Sequence, residues 1–331
     1  MGRSPHGACT VDRAIILTLE FWKRFEKSGV VVKAVAIVGN GQLAVGVARA
    51  LSRRSDIRVI GPTSRVDQRH ALNSGADVVV IATATLLGDV CAAIETAIVA
   101  GSNVIVSAEE AAYPVAVDGV LARRLDALAR ANGVTVLGAG LNPGFIFDSL
   151  VLTLLGTVTE VRGIDVTRTV DISGFGPAVR ARLGLGVDLE RFGRGVTSGE
   201  ILGHAGFPQS ISLVAGALGV ALDRIDTSLE PIVDGGITVG VRQVYTGIVG
   251  GTDWFRATFV GHIDLEAMGL RARDEIRIDG TVGFTCVIDP GVGSQAGSQA
   301  IIANSIDRVI AAPPGWITVA DLPPAHPYST A

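Results

Sequence analysis

The sequence predicts an α/β chain in which a Rossmann-type parallel sheet, lacking one outer strand, is followed by an α+β domain with a large mixed sheet. Three observations carry that expectation. An apolar, β-branched run at residues 35–38 stops in Gly39-Asn40-Gly41-Gln42-Leu43-Ala44 and gives way to apolar residues at helical spacing. That is the G-x-G-x-x-G/A order of a dinucleotide-binding turn. Short apolar runs then alternate with helical stretches to about residue 156, the signature of a parallel sheet. Beyond residue 157 alternating strands dominate.

Bulk composition sets the bounds. The 331 residues suffice for two domains of ordinary size. Hydrophobic residues make up 48% and charged residues 18%, as parallel strands buried on both faces require. The best candidate for a bilayer span, residues 207–222, is broken by Pro208, Gln209, Ser210 and Ser212, so no membrane segment is expected. A net charge of -4 gives no footprint for nucleic acid or an acidic membrane. Cys9, Cys91 and Cys286 are scattered, suggest neither a disulfide framework nor a metal site, and fit a reducing cytoplasm.

Residues 1–30 read as an N-terminal extension, in which Asp12, Glu20 and Glu26 interrupt any signal sequence. A first strand at 32–38 leads into a helix at 43–52. Gly39 permits the turn, Gly41 lets a pyrophosphate approach the backbone, and Ala44 allows close helix–strand packing. Asn40, Gln42 and Leu43 complete the turn. Amides at the helix start then face the phosphate charge.

The second strand, at 58–61, ends in Pro62-Thr63-Ser64-Arg65. An Asp or Glu about 20 residues beyond the glycines usually takes the ribose 2′-hydroxyl of NAD. Thr63 and Ser64 offer hydrogen bonds instead and Arg65 brings positive charge, a set suited to a 2′-phosphate. NADP is therefore the expected cofactor, with NAD possible. The next strand, 77–82, follows so soon that residues 62–76 hold only one crossover helix. That is why the outer strand should be missing. Ala82 and Thr83 end this strand on the cofactor side.

After a helix at 87–100, the strand at 103–106 ends in Ser107-Ala108-Glu109-Glu110, placing two carboxylates at the carboxyl edge where open α/β sheets bind ligands. Neighbours in an extended segment point to opposite sides, so one should face the cofactor. Both could instead be helix-start carboxylates favoured by the dipole. A helix at 116–132 and a strand at 134–137 lead to a second glycine-rich loop, 138–145, where Asn142 offers a donor and an acceptor near the nicotinamide end. A helix should continue over 145–153.

In the second half, a strand begins at 161, residues 174–186 read as a loop and 187–222 as mostly helical. Strands follow near 228–233, 236–249, 253–264 and 274–289. A helix at 299–311 packs back on the body, followed by Pro313-Pro314-Gly315 and a tail. The partition is 1–30 extension, 31–156 dinucleotide-binding domain and 157–331 substrate and dimerisation domain. Its large sheet invites packing against a second copy, a homodimer.

The chain resembles the 2,4-diaminopentanoate dehydrogenase family, which includes the related native amine dehydrogenases. The resemblance rests on residues 39–44, on 103–114 with its Glu-Glu-x-x-Tyr-Pro ending, and on 141–145. Further matches lie at 203–208, at 274–280, and at 311–316 before 321–323, so it covers about residues 33–323. It implies NAD(P)-dependent oxidative deamination of a primary amine, or reductive amination of a ketone with ammonia. It also implies a proton-handling glutamate, for which Glu110 is the better match and Glu109 the second. Asn142, Arg168 and His204 match positions lining the cofactor–substrate cleft. Val170 stands at a pocket position where some relatives carry a polar side chain, which implies a more apolar substrate than a diamino acid. Competing readings are an imine or carbonyl reductase of the dihydrodipicolinate reductase or homoserine dehydrogenase type, and a non-catalytic NADP-binding protein.

Overall fold

Strand β1 (Lys33–Val38) lies inside the first sheet because Val35, Ala36, Ile37 and Val38 are all fully buried, as a central parallel strand demands. The chain continues through α1 (Gln42–Leu51), β2 (Ile57–Thr63), α2 (Gln68–Leu72), β3 (Val78–Ile81), α3 (Leu87–Val99), β4 (Asn103–Val106), α4 (Gly119–Ala131), β5 (Thr135–Gly138) and α5 (Ser149–Leu155). The second half runs β6 (Val161–Asp171), α6 (Pro177–Arg182), α7 (Leu189–Ser198), α8 (Phe207–Leu218), β7 (Arg224–Asp234), β8 (Ile237–Val249), β9 (Thr252–His262), β10 (Arg273–Gly280), β11 (Phe284–Ile288), α9 (Ser294–Ala311) and β12 (Gly315–Ile317). The structure is a computed structural model and describes residues 32–64 and 67–328. The expected N-terminal extension and Arg65 lie outside the described residues.

The first sheet is parallel, with strand order β12-β5-β4-β3-β1-β2. The five-residue helix α2 carries the chain from β2 straight to β3, so β2 is the edge and no described strand lies beyond it. On one face, Leu87, Val90 and Ile94 of α3 and Leu125 of α4 pack on Val79, Ile81, Val104 and Val136. On the other, Val47 and Leu51 of α1 join Ile302, Ile306 and Val309 of α9 over Ile37, Val80, Ile105 and Leu137.

The stretch read as a tail is instead the sixth strand. Pro313 and Pro314 cannot continue α9, and Trp316 then pairs with Val136 of β5. Its backbone N–H donates to Asp126 Oδ1 at 2.8 Å. Three residues are too few to carry a period.

The second sheet is mixed, in order β11-β10-β6-β9-β8-β7, with β6 and β9 parallel and the other neighbours antiparallel. Alternation on β6 buries Ile164, Val166, Arg168 and Val170, and Phe147, Phe207 and Ile211 cover that face from above. Residues 274–289 form the hairpin β10–β11 rather than one run. Two readings are corrected here. Residues 174–186 contain the helix α6, opened by Pro177 in its first turn. The helix expected at 145–153 begins only at Ser149, where the Asp148 carboxylate accepts from the Ser149 N–H. Among the described residues no helix is long and apolar enough to cross a membrane.

Candidate active site

The glycine turn at the carboxyl end of β1 is shaped by backbone approach. Gly39 has φ +123°, and a Cβ there would sit 2.4 Å from the Ala82 carbonyl oxygen, so only glycine fits. A Cβ on Gly41 would meet nothing within 4 Å, which leaves the start of α1 open. No side chain caps that start, and its free N–H groups remain available to an anion.

A cleft of about 530 Å³ opens between the two sheets, within the range of a small-molecule site. Gly41, Gln42, Leu43, Ala82, Thr83 and Asn142 line it on the nucleotide side. Gly39 and Asn40 shape the turn from behind and are not part of the wall. Both polar atoms of the Asn142 amide are buried without a partner. A buried, unsatisfied donor and acceptor are costly, and they match a ligand carboxamide that offers the complementary pair.

Thr63 and Ser64 lie at the end of β2, away from this cleft. Thr63 Oγ1 donates to the Ile37 carbonyl at 3.2 Å, and Ser64 Oγ to Asp67 Oδ2 at 2.8 Å. Asp67 thus brings a carboxylate to an edge where the sequence reading found none.

The two adjacent glutamates part company at the end of β4. Residues 109–112 form a single 3₁₀ turn, in which successive side chains diverge by about a third of a revolution. Glu109 faces the cleft; its Oε1 accepts from Arg182 Nη2 at 3.0 Å. Glu109 Oε2 is buried without a hydrogen bond, 3.4 Å from His204 Nδ1. Arg182 is held in turn by Nη1 donating to Thr85 Oγ1 at 2.9 Å.

Glu110, the better match on sequence, is turned the other way. Its Oε2 accepts from the Leu87 N–H at 2.7 Å, which satisfies a first-turn donor of α3 and complements the helix dipole. The helix start it serves is that of α3, before β4 in the chain, and not one opened by the glutamate pair itself. Glu110→Gln keeps an acceptor there and should leave turnover within a few-fold of the parent. Glu110→Ala should cost about 0.5–2 kcal/mol, the usual loss for a helix-start acceptor, measurable by urea unfolding. A large fall in turnover for Glu110→Gln would return the proton-handling role to it.

His204 is anchored by its backbone N–H donating to Gln243 Oε1 at 2.7 Å, and its ring lies 5.1 Å from Phe207 and 5.2 Å from Phe259. Nδ1 approaches the Ala205 carbonyl to 2.5 Å. A carbonyl can only accept, so Nδ1 carries the proton and Nε2 the lone pair. Burial pulls the imidazole below its ordinary range; Glu109 opposes this, while Arg182 and Arg168 add to it. His204 is therefore neutral at pH 7.

Arg168 lines the cleft, yet its charge is already matched. Nη1 pairs with the buried Asp274 at 2.5 Å, and Nη2 donates to the Val292 carbonyl at 2.6 Å and to Ser294 Oγ at 3.1 Å. Val170 lies outside the main cleft, in an adjoining hollow of about 320 Å³ that also meets Phe175. Sequence reasoning missed Arg182. It sits on a helix with no buried residue, so no periodic signal marked it. Among the described residues no three His, Cys, Asp or Glu side chains gather as a metal site.

An open glycine turn, an unpartnered amide and an arginine-held carboxylate around one cleft define a dinucleotide-dependent dehydrogenase on a Rossmann domain. The chain belongs to the 2,4-diaminopentanoate dehydrogenase family: residues 145–330 match the 2,4-diaminopentanoate dehydrogenase C-terminal domain. It is 33% identical over 327 residues to the 2,4-diaminopentanoate dehydrogenase of Acetoanaerobium sticklandii, covering 87% of this chain and 93% of that protein. Its fold is similar to that of an amine dehydrogenase from Mycobacterium smegmatis, with TM-score 0.79 at 20% identity over 89% of this chain and 97% of that one. A probable dehydrogenase from Thermotoga maritima is similar at TM-score 0.54 and 12% identity, covering 87% and 92%.

Proposed function

We propose that the protein is an NAD(P)-dependent amine dehydrogenase that oxidatively deaminates a primary amine, or runs the reverse amination of a ketone, with Glu109 as its proton-handling group. The observation that carries this is the Glu109 carboxylate, held on one oxygen by Arg182 and unbonded on the other, in the wall of the cleft. The start of α1 and residues Gly41, Gln42 and Leu43 would hold the pyrophosphate, Ala82 and Thr83 would line the cofactor's flank, and Asn142 would meet the carboxamide. When bound, the nicotinamide accepts the hydride from the amine-bearing carbon.

Only a neutral amine has the lone pair that drives loss of that hydride, so an ammonium must first give up a proton. Glu109 Oε2 takes it. Arg182 keeps the carboxylate oriented, so little ordering is left for the moment of reaction. Glu109 passes that proton to solvent, receives another from the water that adds to the substrate iminium, and returns it to the nitrogen as the adduct collapses to ketone and ammonia. Neutral His204, its Nδ1 proton committed to the Ala205 carbonyl, stands beside Glu109 as part of the wall and adds no competing positive charge.

Substrate preference follows from charge. Arg168 is matched by Asp274, and Arg182 by Glu109. Neither has a charge to spare for a substrate carboxylate, and Phe175, Val179 and Phe259 give the cleft an apolar stretch of wall. We therefore read the substrate as a small amine or ketone without a carboxylate. NADP remains the preferred cofactor through Ser64, opposed by Asp67, with NAD an acceptable second. A homodimer formed on the second sheet, whose β7 is mostly exposed, belongs to the same reading.

The test is a panel of amines and amino acids with NADP+ and NAD+, followed by the absorbance of the reduced nicotinamide. Carboxylate-free amines should turn over fastest, with NADP+ ahead of NAD+. Reductive turnover that ignores ammonium would replace this reading with an imine or carbonyl reductase. No cofactor binding by calorimetry would replace it with a non-catalytic protein.

A further inference from the structure

A second hollow of about 240 Å³ lies away from the cleft, between α5, α9 and the segment after β12. Its floor is built by helical spacing. Ile301, Ser305 and Arg308 recur at i, i+4 and i+7 on α9, and Ser149, Leu152 and Thr153 share the facing side of α5. Leu322 and Pro323 close the flank.

Arg308 is the unusual member. Its Nε is buried with no hydrogen-bond partner, and among the described residues no carboxylate pairs with it. The neighbouring Asp307 is taken by Lys33 at 2.6 Å and Arg54 at 2.8 Å. Burial pushes the Arg308 guanidinium below the usual arginine range, although arginine stays charged at neutral pH. The hydroxyls nearby already donate to backbone carbonyls: Ser149 to Gly144, Thr153 to Ser149 and Ser305 to Ile301. Among the described side chains that line the hollow, the guanidinium is thus the donor left without a partner. A half-buried cation without a counter-ion is an unfavourable arrangement unless an anion completes it.

We propose that this hollow is a second binding site and that it takes a small aliphatic monocarboxylate. The planar guanidinium meets a carboxylate through paired N–H donors. Leu152, Ile301, Leu322 and Pro323 enclose the alkyl part. One cation balances one negative charge, whereas a phosphate dianion would leave excess charge against apolar walls. The volume falls below the roughly 300–1,000 Å³ of drug-sized pockets, which excludes nucleotides and favours a short chain. The site is separate from the cleft and uses none of the residues assigned to catalysis.

The probe is butyrate, added to the full chain at constant ionic strength and followed by thermal unfolding. At ten times its dissociation constant it should raise the midpoint by about 2 °C for a chain of this length. Arg308→Gln should abolish the shift and Arg308→Lys should retain part of it, both with ordinary cooperative unfolding in buffer alone. An equal shift in Arg308→Gln, or no shift in the parent, overturns the site. A shift with phosphate but none with butyrate overturns the carboxylate assignment.

Discussion

Glu109→Gln is expected to lower turnover by about 10²–10⁴-fold, the usual worth of a positioned acid–base group, while NADP(H) binds as before. The substitution is nearly isosteric. Its amide oxygen still accepts from Arg182, so the cleft keeps its shape, but the side chain can no longer take a proton from an ammonium. Steady-state kinetics with saturating amine, beside a fluorescence titration of NADPH, separate the two effects. Turnover close to the parent's would sink the assignment. The matched variant Glu110→Gln is the internal control, since the neighbouring carboxylate is engaged with the Leu87 N–H at the start of α3.

The second large effect is on stability. Arg168→Met should destabilise the fold by about 3–5 kcal/mol, because removing one partner of a buried ion pair strands the charge of the other. Asp274 is 1% exposed and would retain only the Val292 N–H at 2.8 Å as a donor. Urea unfolding monitored by circular dichroism measures the loss. The double variant Arg168→Met with Asp274→Leu should recover part of it, since it removes the stranded charge. If Arg168 instead served mainly to hold substrate, Arg168→Met would raise KM with little change in the unfolding midpoint. The two roles therefore predict opposite pairs of results.

How much of this was legible in the sequence depended on whether the signal was local. The glycine turn was legible because strand, turn and helix are contiguous and each has its own pattern. The missing outer strand was legible too, since chain length alone limits what residues 62–76 can build. The choice between Glu109 and Glu110 was not. It depends on whether the chain leaves β4 extended or in a 3₁₀ turn, and the two geometries aim adjacent side chains differently. Arg182 was hidden for another reason. Its partner Glu109 lies 73 positions earlier, and nothing in either neighbourhood announces a long-range pair. Arg168 was visible as a strand residue, but its capture by Asp274 is a cross-strand matter, fixed by the β6–β10 register that aligns the two. Trp316 and its strand were masked by brevity and by the prolines before them.

The late return of α9 and β12 to the first sheet has a consequence for biosynthesis. When residues 32–156 have left the ribosome, α3 and α4 can cover one face, but the other has only α1. Ile105 and Leu137, completely buried in the finished protein against α9, must wait for a helix still to be translated. At ordinary elongation rates that wait is on the order of 10–30 s. The nascent chain thus carries an open greasy face for most of its synthesis, and a fragment ending at residue 156 would keep it permanently. Chaperone occupancy should be highest in that interval and should fall once α9 emerges.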